Sequence, residues 1–105
     1  MPNQGFIKRL PIQQHGDIII DPQCCTVFQS GSEIHLFPKE FEVLLLLVSY
    51  PGWVLSPQQI YESVWREEWM DSARIVSNTI CQIRKKLGTP DLIQTVIGFG
   101  YKFRG

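Results

Sequence analysis

Between residues 74 and 87 one stretch of chain carries two sets of side chains. Val76, Ile80, Ile83 and Leu87 recur at steps of four, three and four, a one-sided apolar stripe at helical period. The opposite side presents Arg74, Asn78, Gln82 and Lys85, with Ile75 and Cys81 on its flanks. Cations that can hold phosphates, beside amides that can bond bidentately to base edges, are the chemistry needed to enter a major groove. A solvated amphipathic helix reads the same way in isolation, so the neighbours of this helix carry the distinction. They are a capped helix before it and a basic hairpin after it.

Catalytic constellations are not legible. His15 and His35 stand apart from any Ser or Cys nucleophile at a readable spacing. Gly98-Phe99-Gly100 lacks the following helix that a phosphate-cradling loop requires. The three cysteines, Cys24, Cys25 and Cys81, form neither a CxxC pair nor an even set, so a metal site or disulfide framework is unsupported. They are expected to be small buried hydrophobes in a reducing cytoplasm. No cofactor is implied.

The elements that must position the helix follow from changes of period. Residues 17–20 form a short apolar run closed by Asp21-Pro22, and 24–29 and 33–36 flank a Ser30-Gly31 turn, which predicts an antiparallel sheet. Residues 6–10 are a further edge-strand candidate, limited by Pro11. Pro38 and Glu40 open a helix whose run 41–48 is apolar almost all round, the signature of burial on most sides. Ser56, Pro57 and Gln59 spell a capping box for a second helix ending near Trp65. Gly88 is expected to cap the third helix, with Pro90 blocking its continuation. Residues 92–97 and 101–104 then make a terminal hairpin around the two glycines.

A chain of 105 residues is one domain with enough core to fold unaided. Ten basic and ten acidic residues give zero net charge, which offers no bulk signal for a polyanionic partner. The zero is a cancellation. Residues 33–72 carry two cations against seven acids, and residues 73–105 carry six cations against Asp91 alone. Charge asymmetry of this kind is a hint of a nucleic-acid face. No apolar run is long enough to span a bilayer, and the N-terminus lacks a signal-peptide core. Residues 1–15 are read as an arm or linker and 16–105 as the domain.

The stretches LFPKEFEVLLLLVSYPGWVLSPQQIYESVW, ARIVSNTICQIRKKLG and IQTVIGFGYKF, in this order, resemble the C-terminal effector domain of OmpR/PhoB-type response regulators. The resemblance covers roughly residues 17–105 and implies an α+β winged helix-turn-helix: an N-terminal antiparallel sheet, three helices and a C-terminal hairpin wing. It implies sequence-specific double-stranded DNA binding in bacterial transcription regulation, within a two-component phosphorelay. By position, Ile75, Asn78, Thr79, Cys81 and Gln82 would face bases, and Trp65, Arg74, Arg84, Lys85, Thr95 and Tyr101 would touch phosphates. Trp65 and Tyr101 can instead be core, and Arg84 can be a flanking ion-pair residue. The loop REEWMDSA, with Glu67, Glu68, Trp69 and Asp71, matches the segment that touches RNA polymerase in family activators. Its alternative is a solvated loop whose Trp69 tucks into the core. The resemblance further implies a dimer on direct-repeat half-sites and a preceding receiver domain.

One departure stands out. Ile97 occupies a wing position where many family members carry arginine. Isoleucine cannot reach a phosphate, and Cys81-Gln82 replace residues that are commonly basic. Fewer phosphate contacts mean a shallower salt dependence, about 0.9 in log units per lost contact, so a lone domain is expected to bind weakly. The competing readings are a winged-helix protein-interaction module and the DNA-binding part of a one-component, membrane-linked regulator.

Overall fold

The computed structural model describes residues 11–104. The edge-strand expectation at residues 6–10 falls outside these residues. Four strands, β1 (Gln13–His15), β2 (Ile18–Asp21), β3 (Thr26–Gln29) and β4 (Ser32–Ile34), form an antiparallel meander in sequential order. The sheet therefore begins inside the lead read as an arm: Gln13–His15 pairs with β2 along the edge. Period-two alternation decides which face is buried. Ile18, Ile20 and Val27 point into the core, while Ile19 and Phe28, paired across the strands, lie on the outer face.

The turns follow from local chemistry. Ser30 and Gly31 both take positive φ, 52° and 83°, the backbone of a tight two-residue hairpin turn. The Ser30 hydroxyl donates to Asp17 Oδ2 at 2.6 Å and fastens this turn to the preceding one. Between β2 and β3 the Asp21 carboxylate accepts from the backbone N–H of Gln23 and Cys24 at 3.0 and 3.3 Å. That side chain captures the chain in a turn, so the strand starts at Thr26 rather than Cys24. In consequence Cys24 and Cys25 are exposed, and Cys81 is exposed on the third helix. The expectation of buried cysteines is corrected on all three.

Three helices follow: α1 (Pro38–Ser49), α2 (Pro57–Trp65) and α3 (Ala73–Lys86). Helix α1 is the hub, burying Phe41, Val43, Leu44, Leu45, Leu47 and Val48. At the start of α2 the capping box is complete. Ser56 Oγ accepts from Gln59 N–H at 3.1 Å, and Gln59 Oε1 accepts from Ser56 N–H at 2.8 Å. The open carbonyl of Val64 near its other end accepts from Lys39 Nζ at 3.1 Å, a cation placed at the negative end of the helix dipole.

Helix α3 buries Val76, Ile80 and Ile83 as its stripe requires, with Leu87 buried at its C-cap. Its end differs from expectation. Leu87 is extended, and Gly88 does not adopt a left-handed cap. The Gly88 N–H donates instead to Gln29 Oε1 at 2.6 Å, and Gln29 Nε2 donates to Thr89 Oγ1 at 3.0 Å. A buried amide from β3 thus ends the helix.

A short 3-10 turn (Pro90–Leu92) leads into β5 (Ile93–Val96), paired antiparallel with β6 (Gly100–Phe103). The hairpin has a second seam. Leu55 N–H donates to Tyr101 O at 2.8 Å, Tyr101 N–H donates to Leu55 O at 2.9 Å, and Gly52 N–H donates to Phe103 O at 3.0 Å. The connection between α1 and α2 therefore lies along the free edge of β6.

Candidate nucleic-acid interface

The amphipathic stripe of α3 fixes which side faces out. With Val76, Ile80 and Ile83 fully buried, helical spacing leaves Arg74, Asn78, Cys81, Gln82 and Lys85 exposed, with Ile75 at their edge. Asn78 and Gln82, four residues apart, lie one above the other on this face. Arg74 and Lys85 bracket them and carry no ion pair among the described residues. Thr79 is half-buried, and its hydroxyl donates to Ile75 O at 2.8 Å. Its proton is used within the helix, so outward it offers a lone pair and a methyl group.

The six cations of residues 73–105 divide into two groups. Lys86 Nζ pairs with Glu40 Oε1 at 2.6 Å and sits 4.1 Å from the centre of the Phe37 ring. Arg104 pairs with Asp91. Arg84 donates through Nε and Nη2 to Ile93 O at 3.0 and 2.7 Å, and through Nη2 to Thr95 Oγ1 at 2.8 Å. Its guanidinium carbon lies 5.9 Å from the centre of the Tyr101 ring. Arg84 and Lys86 are used within the fold and Arg104 is neutralised at the surface, so the positive charge left unpaired among the described residues of this half rests on exposed Arg74 and Lys85 and half-buried Lys102.

Arg84 is thus placed as a clamp. Expected to hold phosphate, or else to form an ion pair, it spends its fork on a backbone carbonyl and a wing hydroxyl. Its sequence position near the stripe carried the hint, while its partners in the hairpin had no local signal. The clamp joins α3 to the hairpin, so helix and hairpin project as one unit. Thr95 remains exposed and Tyr101 half-buried.

Behind α3 an aromatic group shapes the connection from α2. Trp65 stacks on Tyr61 with ring centres 5.3 Å apart at 11°, and Trp69 meets Tyr61 edge-on at 5.8 Å. Trp65 and Trp69 are both partly buried against the core. The Tyr61 hydroxyl donates to Glu67 Oε1 at 2.7 Å. That bond, followed by burial, holds the phenol above its usual pKa. The loop expected to face a protein partner is therefore split. Glu67 and Trp69 are tied to Tyr61, while Glu68, Met70 and Asp71 are exposed, with Asp71 at φ 59°.

Sequence reasoning read Gly98-Phe99-Gly100 only as a turn. Its tip carries two exposed apolar side chains, Ile97 and Phe99, one on each side of Gly98.

Residues 31–103 match the protein family described as "Transcriptional regulatory protein, C terminal". Among curated proteins, the transcriptional regulatory protein CutR of Streptomyces coelicolor is 39% identical over 92 residues, covering 88% of this chain and 42% of that protein. The chain thus spans about two-fifths of the length of that relative. Among solved structures, the response regulator DrrB, a Thermotoga maritima OmpR/PhoB homologue, superposes with a TM-score of 0.80 at 37% identity, over 90% of this chain and 44% of that one. The RstA DNA-binding domain of Klebsiella pneumoniae, solved in complex with the RstA box, gives a TM-score of 0.82 at 27% identity, over 90% of this chain and 98% of that one.

Proposed function

Because the chain belongs to the OmpR/PhoB-type family of transcriptional regulatory protein C-terminal domains, we propose that it binds double-stranded DNA sequence-specifically as the effector domain of a two-component response regulator. The carrying observation is the face of α3: two stacked amides, Asn78 and Gln82, bracketed by the outward cations Arg74 and Lys85. The RstA domain, of similar fold, is solved on its DNA box.

The roles divide by chemistry. Asn78 and Gln82 read base edges, Ile75 and Cys81 supply apolar contact at the groove floor, and Thr79 contributes its methyl and an acceptor. Arg74 and Lys85 hold phosphates on either side, with Trp65, Thr95 and Tyr101 at the periphery of the duplex. Arg84 acts through Thr95 and Tyr101 by fixing the hairpin. The exposed acids Glu68 and Asp71, beside Met70, offer a basic protein surface such as RNA polymerase a small docking point. A preceding receiver domain and a second copy on a direct repeat complete the regulator, acting in the cytoplasm. No helix of the described residues is long and apolar enough to cross a membrane.

The phosphate roles are tested by salt dependence. Arg74→Ala and Lys85→Ala should each flatten the slope of log affinity against log salt by about 0.9, alike on every duplex. Lys86→Ala should leave the slope unchanged, because its ammonium is bound to Glu40. An unchanged slope in the first two variants would remove them from the phosphate contacts.

A further inference from the structure

Helix α3 carries four uncharged polar side chains, Ser77, Asn78, Thr79 and Gln82, and its hydrogen bonds sort them. Ser77 Oγ donates to Arg74 O at 3.1 Å and Thr79 Oγ1 to Ile75 O at 2.8 Å, so both hydroxyl protons are spent on the helix itself. Asn78 and Gln82, both exposed, hold no such bond among the described residues. Each amide keeps a donor beside an acceptor. The cations are sorted as well. At 1.5 Å per residue Arg74 and Lys85 stand about 16 Å apart along α3, further than the major groove is wide, about 12 Å. A groove that holds the amides between them therefore has these cations at its two flanking backbones. Arg84 is drawn to Ile93 O and Thr95, and Lys86 to Glu40. The middle of the outward face is left to the amides, and α3 contains no Asp or Glu.

That composition selects a base pair. In the major groove guanine presents two acceptors, N7 and O6, and is matched by arginine or lysine, while the cytosine N4–H2 is matched by a carboxylate. Adenine presents an acceptor beside a donor, N7 and N6–H2, and an amide satisfies both at once. The apolar side chains supply the other half of the pair. Ile75 is 44% exposed and lies three and four residues before Asn78 and Thr79, the spacings of neighbours on one helix face. Its side chain and the Thr79 methyl make an apolar strip beside the amides. In this groove the complement of such a strip is the C5-methyl of thymine.

We propose that Asn78 and Gln82 each take an adenine, with Ile75 and the Thr79 methyl on thymine methyl groups, so that the middle of α3 reads A·T pairs. The proposal rests on the DNA-binding reading above and names the base pairs that it requires. The two amides are about 6 Å apart along the helix, and base pairs rise about 3.4 Å. Both adenines therefore fall within about three successive base pairs.

The test uses the full chain and the duplex it selects from a random library, with affinity read by fluorescence anisotropy. The positions read by the amides are those that lose their preference when selection is repeated with Asn78→Ala or Gln82→Ala, and they should be A·T pairs. Replacing one of their adenines by 7-deazaadenine removes N7 alone and should weaken wild-type binding about fivefold. The variant lacking the amide that reads this adenine should not respond to the exchange. Uracil in place of the paired thymine removes one methyl group and should weaken wild-type binding about fourfold, with no response from the double variant Ile75→Ala, Thr79→Ser. None of these side chains belongs to the core, so melting temperatures should match the wild type and exclude misfolding. G·C pairs at the released positions, or full affinity for the 7-deazaadenine duplex, overturns the adenine assignment and leaves the DNA reading intact. An equal response to uracil in wild type and double variant removes Ile75 and Thr79 from the thymine. A wild type that selects no motif, or variants that release no position, overturns the reading by α3 and the assignment together.

Discussion

Gly100→Ala should lower the unfolding free energy by about 3 kcal/mol, roughly 15 °C in melting temperature for a domain of this length. A Cβ on Gly100 would stand 2.0 Å from Leu55 O, 2.8 Å from Leu55 C and 2.9 Å from Ser56 Cα. All three atoms are backbone, so no side chain can swing aside. Gly100 also sits at φ +151°, which L side chains rarely adopt. Relief of the clash requires β6 to leave the 52–55 segment, with loss of the two Leu55–Tyr101 hydrogen bonds and the Gly52–Phe103 bond. At about 1 kcal/mol net for each bond, the loss reaches the figure above. Gly98→Ala is the control. Its φ is +84° but nothing lies within 4 Å of the added carbon, so only the backbone penalty of about 1–2 kcal/mol applies. Thermal denaturation of the two variants distinguishes a seam from a turn. Equal destabilisation would deny the seam.

Lys86→Met should destabilise by a comparable amount, about 3 kcal/mol. Glu40 is 6% exposed. Its Oε1 accepts from Phe37 N–H at 2.9 Å, as the N-terminal half of a capping arrangement, and from Lys86 Nζ at 2.6 Å. Removing the ammonium leaves a buried carboxylate with one backbone donor, and breaking a buried pair in this way costs about 3–5 kcal/mol. The Lys86 side chain is 28% exposed, which places the effect at the lower end. Glu40→Gln in the Lys86→Met background should recover part of the loss, because the uncompensated charge is gone while an amide oxygen can still cap Phe37. Denaturant midpoints measure both. A double variant no more stable than Lys86→Met alone would show that the charge is not the source of the loss.

Both effects are long-range, and they mark where sequence reading stops. Local chemistry was readable. Ser56, Pro57 and Gln59 announce the start of α2, Ser30-Gly31 the turn between β3 and β4, and the 76, 80, 83, 87 stripe the buried side of α3. The order of elements follows from these signals, and the winged helix-turn-helix fold from the family resemblance. What was not readable depends on partners far apart in the chain. Gly88 looked like a left-handed cap because glycine usually is one there, yet Gln29 from the other end of the domain supplies the acceptor. Cys24 and Cys25 were taken as buried from residue type, whereas the Asp21 turn that exposes them is decided by its carboxylate. Arg84, Lys86 and Arg104 are three of the six cations of residues 73–105. Hydrogen bonds to the hairpin hold Arg84 and an ion pair with buried Glu40 holds Lys86, while Arg104 is neutralised at the surface by Asp91.

The charge of the recognition half is accordingly smaller at the surface than in the sequence. On the proposed function, specificity rests on the amides of α3 more than on a strong field, with the Arg84 clamp fixing the hairpin beside the helix. Selection of bound duplexes from a random library at low salt, run in parallel on the wild type and on Asn78→Ala, Gln82→Ala, tests this directly. The wild type should enrich one motif, arranged as a direct repeat. The double variant should keep general duplex binding and lose the enrichment, since each bidentate base contact contributes about 1–3 kcal/mol of discrimination. Enrichment of the same motif by both proteins, or of none by the wild type, would contradict the assignment of α3 as the reader of sequence.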